Sequence, residues 1–254
     1  MKRLIAAVSL VAGLALAGCV NNQTAAPGQQ RTPVTVLAAA SLKDVFTKLQ
    51  PQFEAANPGA ELTFNFGGSS DLAQQIINGA PADVFASAND AQMNVVRDKG
   101  KLAGTPQPFV TNVLTIVVPP GNPKSIRSFA DLAKPGVTEV VCAPQVPCGA
   151  ATVKIEKETN IALSPASEEN DVLAVLSKVE AGVADAGLVY VTDARTAAGK
   201  VQEIAFPEAA KAVNTYPIAA ISGSPHAQLA QAFVDFIHSA PAREQFTAAG
   251  FGPA

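Results

Sequence analysis

From residue 34 onward, short apolar runs alternate with segments whose apolar positions recur every three or four residues. Residues 34–38 predict a buried strand, after which Leu42, Val45, Phe46, Leu49 and Phe53 fall on one helical face. Pro51 interrupts that face and is expected to kink or end the helix near Gln50, because proline lacks the N–H that the helical ladder needs. Residues 62–66 predict a second strand, 71–78 a helix closed by Gly79, 83–87 a third strand and 89–99 another helix. Strands are also expected at 113–118, 137–142, 187–191 and 216–221. Helices are expected near Phe129, Ala151, Val172 and Thr192, with a closing pair over 227–239 and 242–248. This alternation predicts an α/β fold with mainly parallel, covered sheets.

The first 32 residues break the rhythm. A basic start, Met1-Lys2-Arg3, precedes an apolar run over residues 4–17 that falls short of the roughly 20 residues needed to span a bilayer. Residues 1–18 therefore read as a signal peptide. The run ends in Leu16-Ala17-Gly18-Cys19, which resembles a bacterial lipoprotein cleavage box. That resemblance implies cleavage before Cys19 and a lipid on its sulfur, the alternative being an ordinary signal closed by a buried cysteine. Apart from Cys19 and Val20, residues 19–32 are Asn, Gln, Thr, Ala, Pro and Gly with one charge, Arg31, and read as a flexible tether. The expected location is extracytoplasmic, lipid-anchored to the cell membrane.

Composition narrows the function classes. With 48% hydrophobic and 15% charged residues in 254, the chain is too apolar to stay disordered. Its net charge of -3 and lack of a basic cluster argue against nucleic acid. Cys142 and Cys148 are close in sequence, and export to an oxidising compartment favours a disulfide between them over a metal pair or two free thiols. His226 and His238 read as surface or cap residues. No nucleophile elbow, phosphate-loop lysine motif, His-Glu-x-x-His or dinucleotide glycine fingerprint occurs, so no catalytic set, metal centre or cofactor is expected. Glu168, Glu169 and Asp171 read as carboxylates capping a helix start.

One arrangement does recur: a strand ending in small or hydroxyl residues that opens a helix. It appears at Ala38-Ala39-Ala40-Ser41, Gly67-Gly68-Ser69-Ser70, Pro147-Cys148-Gly149-Ala150 and Asn170-Asp171. Each junction presents unpaired backbone N–H groups at a helix N-terminus, where the macrodipole favours an anion. Simple capping explains any one of them. Four at the carboxyl ends of strands, where open α/β sheets bind ligands, point to a shared anion site.

These segments resemble a known family. The stretches 36–42, 68–76 (Gly-Ser-Ser-Asp-Leu-Ala-Gln-Gln-Ile), 79–85, 146–149 (Val-Pro-Cys-Gly), 170–172 and 185–190 are similar to the molybdate-binding component of molybdate ABC transporters, in the actinobacterial form. The resemblance implies a type II periplasmic-binding-protein fold, with two lobes hinged around a cleft and no enzymatic activity. It places Ser41 and Ser69 in the site as hydroxyl and backbone donors, Cys148 and Val172 as backbone donors, and the Tyr190 phenol as the last member. Lobe one would be 33–112 plus 217–254 and lobe two 113–216, with hinge crossings near Val113 and Tyr216. A monomer and a membrane permease partner are implied.

Two departures from the family pattern bear on the site. Cys148 stands where alanine is usual and is expected to be tied to Cys142. Asp171 replaces an amide and must face away as a cap, since a carboxylate aimed at an oxyanion would repel it. Molybdate and tungstate are deprotonated dianions whose oxygens only accept hydrogen bonds, so a site of hydroxyls and amides suits them and offers nothing to a protonated phosphate. Sulfate, phosphate, or a phosphate- or sulfate-ester hydrolase are the alternatives, the last requiring a base beside Ser41 or Ser69.

Overall fold

The computed structural model describes residues 31–254. The expected signal peptide, Cys19 and the tether up to Gln30 lie outside the described residues. In chain order come β1 (Thr32–Ala39), a 3-10 turn (Ala40–Leu42), α1 (Lys43–Ala56), β2 (Ala60–Gly67), α2 (Ser69–Ile77), β3 (Val84–Ala86), α3 (Asp90–Asp98) and β4 (Leu102–Asn112). There follow β5 (Leu114–Val118), α4 (Phe129–Leu132), β6 (Glu139–Cys142), α5 (Pro147–Thr159), β7 (Ser167–Glu169), α6 (Val172–Glu180), β8 (Ala186–Tyr190), α7 (Val191–Thr196) and β9 (Gln202–Ile204). The chain closes with a 3-10 segment (Pro207–Ala212), β10 (Asn214–Ile221), α8 (Ala227–Ile237), α9 (Ala240–Ala249) and β11 (Gly252–Pro253).

Two sheets result, ordered β11-β4-β10-β3-β1-β2 and β7-β6-β8-β5-β9. The α/β class follows the alternation in the sequence, but the sheets are mixed rather than mainly parallel. Strands β1, β2 and β3 run parallel, as do β6, β7 and β8. The strands that carry the chain between sheets, β4 and β10 in the first and β5 in the second, pair antiparallel with their neighbours. The returning strand β10 and the entering strand β5 need no helical crossover and run against the parallel set of their sheets, whereas β4, antiparallel to β10, runs with it. The chain leaves the first sheet at Val113 and is back in it by Asn214, so Tyr216 already lies within β10.

Each sheet has its own apolar core. Around the first, Phe46 of α1 meets Phe233 of α8 edge-on at 5.6 Å, and Phe53 meets the same ring at 5.2 Å. The second buries Ile116, Val117, Val140, Val175, Leu188 and Phe129. Helix α1 continues through Pro51 to Ala56, so it does not end near Gln50. The Pro51 ring is exposed while Leu49 and Phe53 on the inner face are fully buried, so packing outweighs the missing hydrogen bond. Strand β4 was not foreseen, because Gly104, Pro106 and Pro108 make it read as a loop. Register shifts in β10 at Tyr216/Pro217 and Ile218/Ala220 accommodate these prolines.

Candidate functional site

Helix starts converge on a small cleft between the two sheets. It is lined by Ala40 and Ser41 ahead of α1, Gly68 and Ser69 opening α2, Pro147 and Cys148 opening α5, Asp171 and Val172 opening α6, and Tyr190 at the end of β8. Ala39, Gly68 and Val146 precede their helices with no side-chain cap, so first-turn N–H groups there are not satisfied by a capping side chain. Among the described residues lining the cleft none is Lys, Arg or His, and Asp171 is the one acid. Positive potential must therefore come from helix dipoles and oriented N–H groups.

The structure brings all five expected ligand residues, Ser41, Ser69, Cys148, Val172 and Tyr190, to this one cleft. Two of their hydroxyls are tied to neighbouring groups and one is not. The Ala88 N–H donates to Ser69 Oγ at 3.0 Å, occupying a lone pair and leaving the serine proton free. Ser41 Oγ lies 3.0 Å from the Tyr216 hydroxyl. The Tyr190 hydroxyl is fully buried and has no hydrogen-bond partner among the described residues. Burial, and then the nearby Tyr216 and Asp193, raise its pKa, so it stays a neutral O–H donor. Among the described residues neither serine has a carboxylate, imidazole or amine as hydrogen-bond partner, the arrangement that would activate it.

Asp171 caps α6 as expected, but it also lines the cleft and so does not face wholly away from it. Its Oδ1 accepts the Ala174 N–H at 2.9 Å as the N-cap of α6. Glu169, grouped with it in the sequence reading, instead lies in β7 and pairs with Lys178 of α6 at 2.5 Å. His226 precedes α8 and faces Asp83 at 3.4 Å, far from the cleft lining, and His238 contacts the backbone carbonyls of Val234 and Pro108.

Cys142 and Cys148 form a disulfide that ties the end of β6 to the first turn of α5. Gly149 is required there: a Cβ on it would lie 2.0 Å from the Ala143 carbonyl oxygen. Gln145 inside this ring accepts, through its carbonyl, a 2.8 Å hydrogen bond from Gln92 of α3 across the cleft. Gly68 makes a second close approach, since a Cβ there would lie 2.0 Å from the Asn170 carbonyl oxygen. The Gln92–Gln145 and Gly68–Asn170 contacts join elements of one sheet to elements of the other.

Behind the cleft lies a polar layer that the sequence reading missed. Asn112 and Asn214 are register partners on β4 and β10. Asn112 donates to Thr192 Oγ1 at 2.8 Å and Asn214 to the Ala88 carbonyl at 2.8 Å. Asp193, also buried, accepts the Tyr190 N–H at 3.0 Å. Burial drives its pKa from 3.8 to about 8, the Tyr190 hydrogen bond opposing the rise and Asp44 and Asp171 adding to it. Near neutrality it is mostly protonated, so little negative charge stands behind the helix starts.

Over residues 34–252 the sequence matches the family described as bacterial extracellular solute-binding protein. The chain belongs to that family. This solute-binding protein is 50% identical, over 95% of its length and 94% of the relative, to the molybdate-binding protein ModA of Mycobacterium tuberculosis H37Rv. Two solved structures share its fold. The sulfate-binding protein SubI of Mycobacterium tuberculosis H37Rv has a TM-score of 0.77 at 22% identity, covering 88% of each chain. The periplasmic molybdate-binding protein of Azotobacter vinelandii has a TM-score of 0.76 at 21% identity, covering 87% of this chain and 99% of that one.

Proposed function

We propose that this solute-binding protein captures molybdate, and tungstate with it, outside the cytoplasm and delivers the anion to the membrane permease of an ABC transporter. A lipid on Cys19, added after removal of residues 1–18, would hold it at the membrane as a monomer. The observation that carries the reading is the buried, unpartnered Tyr190 hydroxyl in a cleft that it lines together with two serines and three helix starts lacking a side-chain cap. Such a cleft supplies donors to a group that only accepts, and it needs no metal or cofactor. The name of the 50%-identical relative supports molybdate over other tetrahedral anions. Residues 33–112 with the segment returning at Asn214, and the stretch between them, would act as two lobes that close over the ion, with Ser41, Ser69, Cys148, Val172 and Tyr190 as its ligands.

Thermal unfolding of the purified protein with molybdate, tungstate, sulfate or phosphate at equal concentration tests this. Ligand at a hundredfold excess over Kd stabilises the folded state by about 2.7 kcal/mol. A rise in midpoint with molybdate and tungstate is expected. A rise with sulfate or phosphate alone would reassign the cargo.

A further inference from the structure

Tyr216 does not line the cleft, yet its hydroxyl reaches Ser41 Oγ at 3.0 Å from a fully buried position on β10. Burial raises its pKa, and nearby Asp193 adds to the rise, so the phenol keeps its proton. That proton needs an acceptor, because a buried O–H without one costs about 1–3 kcal/mol. Asn112 and the Tyr190 hydroxyl lie nearby, but neither forms a hydrogen bond of ordinary geometry with the Tyr216 hydroxyl. Ser41 Oγ is the geometric hydrogen-bond partner of the Tyr216 hydroxyl. If Tyr216 donates, the serine proton is released towards the cleft. If Ser41 donated instead, its lone pairs would face the anion.

We propose that Tyr216 is a positioning residue that fixes Ser41 as a donor and so sets the site's preference for fully deprotonated oxyanions over protonated ones. The inference rests on reading the cleft as an oxyanion site. Ser69 is fixed in the same sense by the Ala88 N–H, and Tyr190 has a proton to give. The Ser41 rotor is the one hydroxyl whose sense depends on a second side chain. Without Tyr216 holding it, Ser41 becomes free to rotate and to accept, and a hydrogen phosphate then finds the acceptor that its own O–H requires.

Isothermal titration of molybdate and inorganic phosphate into the wild type, Tyr216→Phe, Ser41→Ala and the double variant tests the proposal. Phe keeps the ring packing against Tyr190, Phe109 and Phe251, so only the hydroxyl is lost. Tyr216→Phe is expected to weaken molybdate about tenfold, the loss of one ordinary hydrogen bond. The ratio of molybdate to phosphate affinity should fall by more than molybdate affinity alone accounts for, and Tyr216→Phe should cost nothing further in the Ser41→Ala background. Equal weakening for both anions, full additivity with Ser41→Ala, or an unchanged ratio would overturn the role of Tyr216. Failure of the wild type to bind any of molybdate, tungstate, sulfate or phosphate would overturn the oxyanion reading itself. If Tyr216→Phe does not fold, 3-fluorotyrosine in a Tyr190→Phe chain labels Tyr216 alone, since the sequence has two tyrosines. That stronger donor should tighten molybdate relative to the unlabelled Tyr190→Phe chain, and no change would overturn the proposal.

Discussion

Gly68→Ala is the sharpest perturbation of the cleft. The new Cβ would stand 2.0 Å from the Asn170 carbonyl oxygen and 3.6 Å from Val146 Cγ1, both on the opposite side. Real Cβ contacts below 3.0 Å essentially do not occur, so the two sides must separate by about 1 Å. Gly68 has φ -63 and ψ 132, which alanine adopts freely, so the backbone adds no strain of its own. Overpacking of this kind costs about 1–3 kcal/mol, a factor of roughly 5 to 150 in an equilibrium constant. If the cleft opens without ligand, the clash is relieved in the open form and the whole cost falls on binding. Titration should then show molybdate affinity reduced within that range. Thermal unfolding without ligand should move by less than about 1 kcal/mol, the residue of a poorer N-cap. Unaltered affinity would refute the reasoning. So would a ligand-free destabilisation equal to the binding loss, because the contact would then be fixed packing rather than part of closure.

Asp193 predicts a pH signature. Between pH 4 and 8 the folded chain keeps a proton on Asp193 that the unfolded chain has lost, so the stability this group contributes falls as pH rises through that window. Denaturant titrations should therefore show Asp193→Asn gaining on the wild type across that window, and parallel curves would remove Asp193 as the cause. Above pH 8 the ionised carboxylate should weaken molybdate binding in the wild type but not in Asp193→Asn, as isothermal titration at pH 7 and 9 would read. Replacing Cys142 and Cys148 by serine opens a ring of sequence separation 6 and should cost about 2 kcal/mol in equilibrium unfolding, an effect that reductant mimics on the wild type and leaves absent in the variant.

The strand–helix alternation was legible because buried strands and amphipathic helices carry different periods, and the four small-residue junctions were legible because helix starts near ligands exclude bulk. Asp171 could be assigned to capping on charge alone. Strand β4 was hidden because its partner β10 absorbs Pro106 and Pro108 through irregular register, a tertiary fact with no local signal. Pro51 misled for the same reason: burial of Leu49 and Phe53 on α1 outweighs one local preference. The mixed direction of the sheets could not be read from β4, β5 and β10, since apolar runs carry no sign of direction. Tyr216 read as the start of a strand and a hinge crossing, with nothing local to tie it to Ser41, 175 positions away. Asp193 gave no hint of its burial, lying between Thr192 and Ala194 in a polar-looking stretch.

The position of β10 between β3 and β4 has a kinetic consequence. During synthesis the second sheet has all its strands once Ile204 has emerged, because β5 to β9 form one unbroken run. The first sheet cannot close at that point: β4 has no neighbour on either side until residues 214–221 and 252–253 arrive. The half made first is thus completed last, and Tyr216 and Asn214 reach Ser41 and Ala88 only in that final step. A nascent chain stopped near residue 205 would carry a complete second sheet beside an unfinished first one, and the anion cleft would form only after most of the chain had been made.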